Sequence, residues 1–181
     1  MNSTVLILPG WQNSGPLHWQ TLWEQQNPAF KRVPQIDWET PKRRDWINNI
    51  TEAVVKATSP VVFVAHSLGC IAAAHWFFMA PELVYRAKGA LLVAPADVDR
   101  PRIPAVLKDF APIPRKPLPC ASVVVASSND PYLPLESARE LASVWGSSLV
   151  EMGEAGHING ESGLGDWPDG KRLLRRLMED S

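Results

Sequence analysis

Cysteine is scarce in this chain: of 181 residues only Cys70 and Cys120 carry a thiol. Cys70 falls inside a helical pattern and Cys120 beside prolines. They read as free buried thiols rather than a disulfide framework, and no metal-ligand spacing accompanies them. Long apolar runs are missing too. Nothing approaches the ~20 residues of a membrane span, and Val5 to Leu8 is too short for a signal core and lacks a basic segment before it. Charge of one sign is also absent, since 18 basic and 19 acidic side chains leave a net charge of -1 without a block of like charges. That balance argues against nucleic acid and anionic membrane as partners, and the basic spots Arg43-Arg44 and Lys171 to Arg176 read as solvated helix faces. No G-x-G-x-x-G or P-loop string occurs, so nucleotide binding on a Rossmann-like sheet lacks its phosphate loop. The expectation is a cytoplasmic chain forming one domain over 1–181, long enough to bury roughly 70% of its unfolded surface, with no cofactor and no metal.

What is present centres on Pro60-Val61-Val62-Phe63-Val64-Ala65-His66-Ser67-Leu68-Gly69. A short, largely β-branched apolar run predicts a strand buried on both faces, and Gly69 opens a helical pattern from Cys70 to Met79. A strand that becomes a helix within one residue leaves Ser67 at the apex, the geometry of a nucleophile elbow with the helix N-terminus aimed at the hydroxyl. The usual G-x-S-x-G reads A-x-S-x-G here, so the turn carries the Ala65 methyl.

Elsewhere strands are predicted at Thr4 to Leu8, Lys31 to Ile36 (an edge strand, given Pro34), Gly89 to Val93, Ser122 to Ala126 and Ser148 to Met152. Helices are predicted from Pro16 or Leu17 to Gln26, Pro41 to Ala57, Leu135 to Val144 and Gly170 to Met178. Strands alternating with helices imply an α/β fold: a three-layer αβα sandwich on a doubly wound, mostly parallel six-stranded sheet. Between Ala94 and Cys120 seven prolines forbid continuous helix or ladder apart from a short helix near Ile103 to Phe110. A connection that long reads as a flap over a pocket, covering 95–120.

Ser67 needs a base and an orienting acid, because a serine hydroxyl is a weak nucleophile near neutral pH. Among four histidines, His157 lies in a glycine-punctuated loop directly after the last strand, on the edge where Ser67 emerges. His66 reads as a packed elbow residue, His75 as structural, and His18 as a pocket residue. For the acid, Asp130 follows the fifth strand in Asn129-Asp130-Pro131, with Asp97 and Asp99 after the fourth strand as rivals. The order Ser67, Asp130, His157 is that of the α/β-hydrolases. Oxyanion donors are expected from the backbone N–H groups of Leu68 and Trp11, the latter just after Gly10, provided the first and third strands lie side by side.

Together, Pro9-Gly10-Trp11, the tryptophan-rich first helix, Ala65 to Gly69, Asn129-Asp130-Pro131 and Gly156-His157 resemble the small single-domain serine hydrolases typified by retinoblastoma-binding protein 9, within the α/β-hydrolase superfamily. The resemblance spans nearly the whole chain. It implies a compact α/β-hydrolase fold without a cap domain and Ser67, Asp130 and His157 as catalytic triad. The expected activity is a carboxylesterase-like hydrolysis of a small ester, or of an amide or thioester, through an acyl-enzyme on Ser67. Its pocket, built from Gly10, Trp11, His18, the flap and Leu133, is expected to be small and to favour short acyl groups. The partner is a small ester-like molecule, and the chain a monomer or weak homodimer. The alternative is a non-catalytic protein-binding module with a vestigial triad, motivated by the missing cap and by eight tryptophans.

Overall fold

The apolar run after Pro60 forms a strand, β3 (Val61–His66), in which every residue is buried. Alternation along it separates two cores: Val61, Phe63 and Ala65 face one helix layer, Val62 and Val64 the other. The structure, a computed structural model, describes residues 3–179. The remaining strands are β1 (Thr4–Leu8), β2 (Phe30–Arg32), β4 (Ala87–Val93), β5 (Ala121–Ala126) and β6 (Ser148–Glu151). All pairs are parallel, in the order β2-β1-β3-β4-β5-β6. Strand order therefore reverses between β1 and β3, which places their following loops side by side at the carboxyl edge.

Helices α2 (Arg43–Lys56), α3 (Leu68–Met79) and α4 (Leu135–Trp145) cover one face, where Trp46, Ile50, Ile71 and Leu141 pack on the sheet. Helices α1 (Trp19–Gln26) and α5 (Pro168–Glu179) cover the other through Trp19, Trp23, Leu174 and Leu177. The αβα sandwich of the sequence reading is thus present, and its sheet is wholly parallel. Helix α3 is apolar all round and buried from Leu68 to Phe77, as a helix wedged against the sheet must be. Gly69 permits its approach, because a Cβ there would stand 2.2 Å from the carbonyl oxygen of Leu8 at the end of β1.

Three predicted elements are adjusted. The edge strand is only three residues long: the Val33 N–H still reaches the Ile7 oxygen (2.9 Å), but Pro34 has no donor to continue the ladder. Helix α1 begins at Trp19 because His18 is its N-cap, its Nδ1 accepting the Gln20 N–H at 3.2 Å. Helix α5 starts earlier than predicted, at Pro168, a favoured first-turn residue. From 94 to 120 the chain is irregular except for a 3-10 segment at Ala105–Phe110, tied to α3 where His75 Nε2–H donates to the Phe110 oxygen (2.8 Å). Among the described residues no helix is long and apolar enough to cross a membrane.

Candidate active site

Ser67 sits between β3 and α3 with φ 53° and ψ -122°, a conformation that costs a non-glycine residue on the order of 1–3 kcal/mol. The cost is offset by its surroundings. Its N–H donates to the Val93 oxygen (3.0 Å), and its own oxygen accepts from Cys70 (3.0 Å) and Ala96 (3.3 Å). The Ala65 methyl is accommodated because that residue remains ordinary strand, paired with Leu8; the strain falls on Ser67. The Cys70 thiol donates to the Val93 oxygen (3.4 Å), and burial pushes its pKa well above the usual thiol range, which keeps it protonated and unreactive.

The structure brings Ser67, His157 and Asp130 together. Ser67 Oγ lies 2.9 Å from His157 Nε2. His157 Nδ1 lies 2.9 and 3.0 Å from the two carboxylate oxygens of Asp130. A carboxylate only accepts, so Nδ1 carries the proton and Nε2 is left to accept from the serine. The Asp130 side chain is almost wholly buried (1% exposed) and also accepts the Tyr132 N–H at 2.8 Å. Asp97 and Asp99 are occupied elsewhere: Asp97 accepts from the Asp99 N–H (3.2 Å), and Asp99 from the Ile113 N–H (3.0 Å). Burial raises the Asp97 carboxyl pKa.

The corner beside Ser67 follows from the sheet order. Leu68 is the first residue of α3, where the leading N–H groups have no intrahelical acceptor. Gly10, two residues past the end of β1, lies so close that a Cβ on it would stand 3.3 Å from the Leu68 nitrogen. Trp11 follows it, and the turn is then closed by the Gln12 N–H to the Trp38 oxygen (3.0 Å) and the Asn13 N–H to the Gly10 oxygen (3.1 Å). Gln12 and Asn13 both adopt φ 65°.

Several residues hold this frame through contacts that the sequence pattern did not predict. Arg32 donates from Nη1 to Asn13 Oδ1 (2.8 Å) and the Ser14 oxygen (3.1 Å), from Nη2 to Thr21 Oγ1 (2.7 Å) and from Nε to Glu24 (2.9 Å). Gln20, fully buried, donates to the Val64 (3.0 Å) and Leu8 (3.3 Å) oxygens and accepts from Ser14 Oγ (2.7 Å). Asn129 Oδ1 accepts the Gly156 N–H (2.7 Å), joining the acid loop to the histidine loop. His66 Nε2–H donates to the His157 oxygen (2.9 Å).

His18, His66 and His157 form a row, with ring centroids 4.6 and 4.8 Å apart. Burial, then the Arg32 charge, lowers the His18 pKa to about 4. Burial holds His66 well below the ordinary histidine value. Both are neutral at pH 7.

The cleft in front of Ser67 has a volume of about 820 Å³. Gly10, Trp11 and His18 line one wall, Val98, Ile103 and Leu107 of the 94–120 segment another. Two expectations are corrected. Leu133 does not line the cleft; it is 1% exposed and packs in the core beneath the loop, while Pro131 and Tyr132 face the opening. Nor is the pocket small: its volume lies toward the upper end of the 300–1,000 Å³ typical of ligand sites.

A serine on a strained strand-to-helix turn, with its histidine and acid on later loops of a doubly wound parallel sheet, defines an α/β-hydrolase. The chain matches the serine hydrolase family over residues 5–176 and belongs to it. Among solved structures it is similar to a protein described as a YdeN-like hydrolase from Pectobacterium atrosepticum, with 34% identity, TM-score 0.87 and coverage of 98% of this chain and 91% of that one. The ydeN gene product of Bacillus subtilis is similar at 18% identity and TM-score 0.74 (98% and 100% covered). Carboxylesterase CesB from the same organism shares the fold at 13% identity and TM-score 0.63 (95% and 82% covered). No curated protein matches the chain.

Proposed function

We propose that the chain is a carboxylesterase-like hydrolase acting through an acyl-enzyme on Ser67, with His157 as base and Asp130 as orienting acid. The observation that carries this reading is the continuous relay from Ser67 Oγ through His157 to Asp130, with both steps at 2.9 Å. Ser67 Oγ attacks the acyl carbon while its proton passes to His157 Nε2. The carbonyl electron pair moves onto oxygen, where the Leu68 and Trp11 N–H groups receive it. As the pair returns, the bond to the leaving oxygen breaks and His157 delivers the proton to it. Water then repeats the sequence on the acyl-enzyme, losing its proton to His157, and the acid departs with Ser67 restored. Asp130 holds the histidine tautomer and stabilises the imidazolium without taking the proton.

The 94–120 segment acts as a flap whose Val98, Ile103 and Leu107 receive the apolar part of the substrate. A cleft of this size fits acyl groups well beyond acetyl. The motif likeness to the small hydrolases typified by retinoblastoma-binding protein 9 supports a capless esterase of this kind, and the two free cysteines suit a reducing, cytoplasmic setting. Of the two features that motivate the protein-binding alternative, the tryptophans do not favour it, because Trp19, Trp23, Trp46, Trp76, Trp145 and Trp167 are buried and Trp11 and Trp38 partly so. A rate series across p-nitrophenyl esters tests the proposal: turnover abolished in Ser67→Ala is expected, and turnover equal in wild type and variant would refute it.

A further inference from the structure

His66 precedes the nucleophile, yet its side chain serves the base. Its ring is 5% exposed, 4.6 Å from His18 and 4.8 Å from His157. Nε2 lies 2.9 Å from the His157 carbonyl oxygen, and an oxygen there can only accept, so the His66 proton is on Nε2. That carbonyl belongs to the peptide joining His157 to Ile158, and Ile158 has φ 49°. For a β-branched residue this is a true outlier, because its Cβ crowds the backbone in the left-handed region. Such a conformation persists only where neighbours over-determine it.

Three side chains do so here, one at each successive residue. Asn129 Oδ1 accepts the Gly156 N–H at 2.7 Å, His66 donates to the His157 oxygen at 2.9 Å, and Trp19 Nε1–H donates to the Ile158 oxygen at 2.8 Å. The peptide joining the base to Ile158 is held at both ends, its oxygen by His66 (2.9 Å) and its N–H by the Ala155 oxygen (3.3 Å), and the His66 bond is the shorter. Without it, the peptide keeps only the longer of these two bonds, and any rotation of its oxygen is passed to the adjoining His157 Cα, from which the imidazole hangs.

Resting on the hydrolase reading above, we propose that His66 is a positioning residue for His157, holding the imidazole in line with Ser67 through the backbone of its own loop. The hydrogen bond lies outside the Ser67-His157-Asp130 relay and touches no reacting atom. Its effect is geometric, and displacements of about 1 Å in such a relay typically cost on the order of 100-fold.

The test compares wild type, His66→Leu and His66→Gln on one p-nitrophenyl ester. Leucine fills the space without a donor, while the glutamine amide can still donate. In His66→Leu, kcat is expected to fall ~10- to 100-fold with KM within about 3-fold, and fluorophosphonate labelling to slow in the same ratio. His66→Gln is expected to recover most of the loss. Unchanged kcat in folded His66→Leu, or equal losses in both folded variants, overturns the proposal. If His66→Leu does not fold, nitrogen-15 NMR of the wild type decides: a proton on His66 Nε2 supports the bond, and a proton on Nδ1 alone overturns it. Should wild type neither turn over esters nor take the probe, the hydrolase reading fails separately. The downfield proton of His157 Nδ1 against Asp130 then decides the positioning role, expected to shift in His66→Leu and not in His66→Gln; no shift in His66→Leu overturns it.

Discussion

Gly10 presses against Ser67: a methyl on the glycine would stand 2.8 Å from the serine Cβ and 3.2 Å from the His66 oxygen. The loop after β1 and the elbow after β3 are therefore in contact at the point where an oxyanion would form. Gly10→Ala is expected to displace the loop that carries Trp11 from the elbow, and turnover to fall ~100- to 1,000-fold, the usual loss of one oxyanion donor. Measured kcat against a thermal melt separates this from unfolding.

Asp130→Asn leaves a group of the same shape but lets His157 take the wrong tautomer. A loss of roughly 10⁴-fold in kcat is expected. Asp97→Asn and Asp99→Asn, whose carboxylates accept backbone N–H groups away from His157, are expected to stay within about 3-fold, inside the variation of surface changes. Parallel kinetics on the three variants would expose a wrong acid assignment.

Arg32 holds the loop that carries Trp11 by donating to Asn13, Ser14 and Thr21 at once. Lysine supplies the charge without the planar fork. Arg32→Lys is expected to remain folded while kcat falls about 10-fold through a loosened oxyanion loop. Urea melts and ester kinetics run side by side check both halves.

The buried histidines make stability depend on pH. His18 has a folded pKa of about 4 against 6.5 unfolded, and His66 lies well below its ordinary value. A depressed histidine binds its proton more readily unfolded, so its contribution is complete above pH 6.5 and is lost as pH falls from 6.5 toward 4. For His18 alone the loss by pH 4 is about 3 kcal/mol. Urea melts at intervals across that window are expected to show the decline, and His18→Gln to flatten part of it.

Much of this was readable from the chain because the signals were local. Buried β-branched runs marked β1 and β3, glycine and proline clusters marked the loops, and Ser67, Asp130 and His157 each sit within a few residues of a strand end. The partners that hold the site gave weaker signals or none. Gln20 and Arg32 look like surface residues of an amphipathic helix and an edge strand until the fold folds loop 10–15 over them. Asn129 had a cue, its place beside Asp130 in a turn, but its partner Gly156 is distant in sequence. His18 is not a favoured cap residue, so α1 was predicted to start too early. Leu133 could be assigned to cleft or core only after the turn at Asp130 was known. The cleft volume depends on how the proline-rich 94–120 segment crosses the sheet, which no periodicity encodes.

The most direct test is to label the folded chain with a fluorophosphonate and locate the adduct by mass spectrometry. One probe per chain on Ser67, lost in Ser67→Ala and formed at least ~1,000-fold more slowly in His157→Ala, is the predicted result. Folded wild type that takes no probe, or takes it at another residue, would contradict the account.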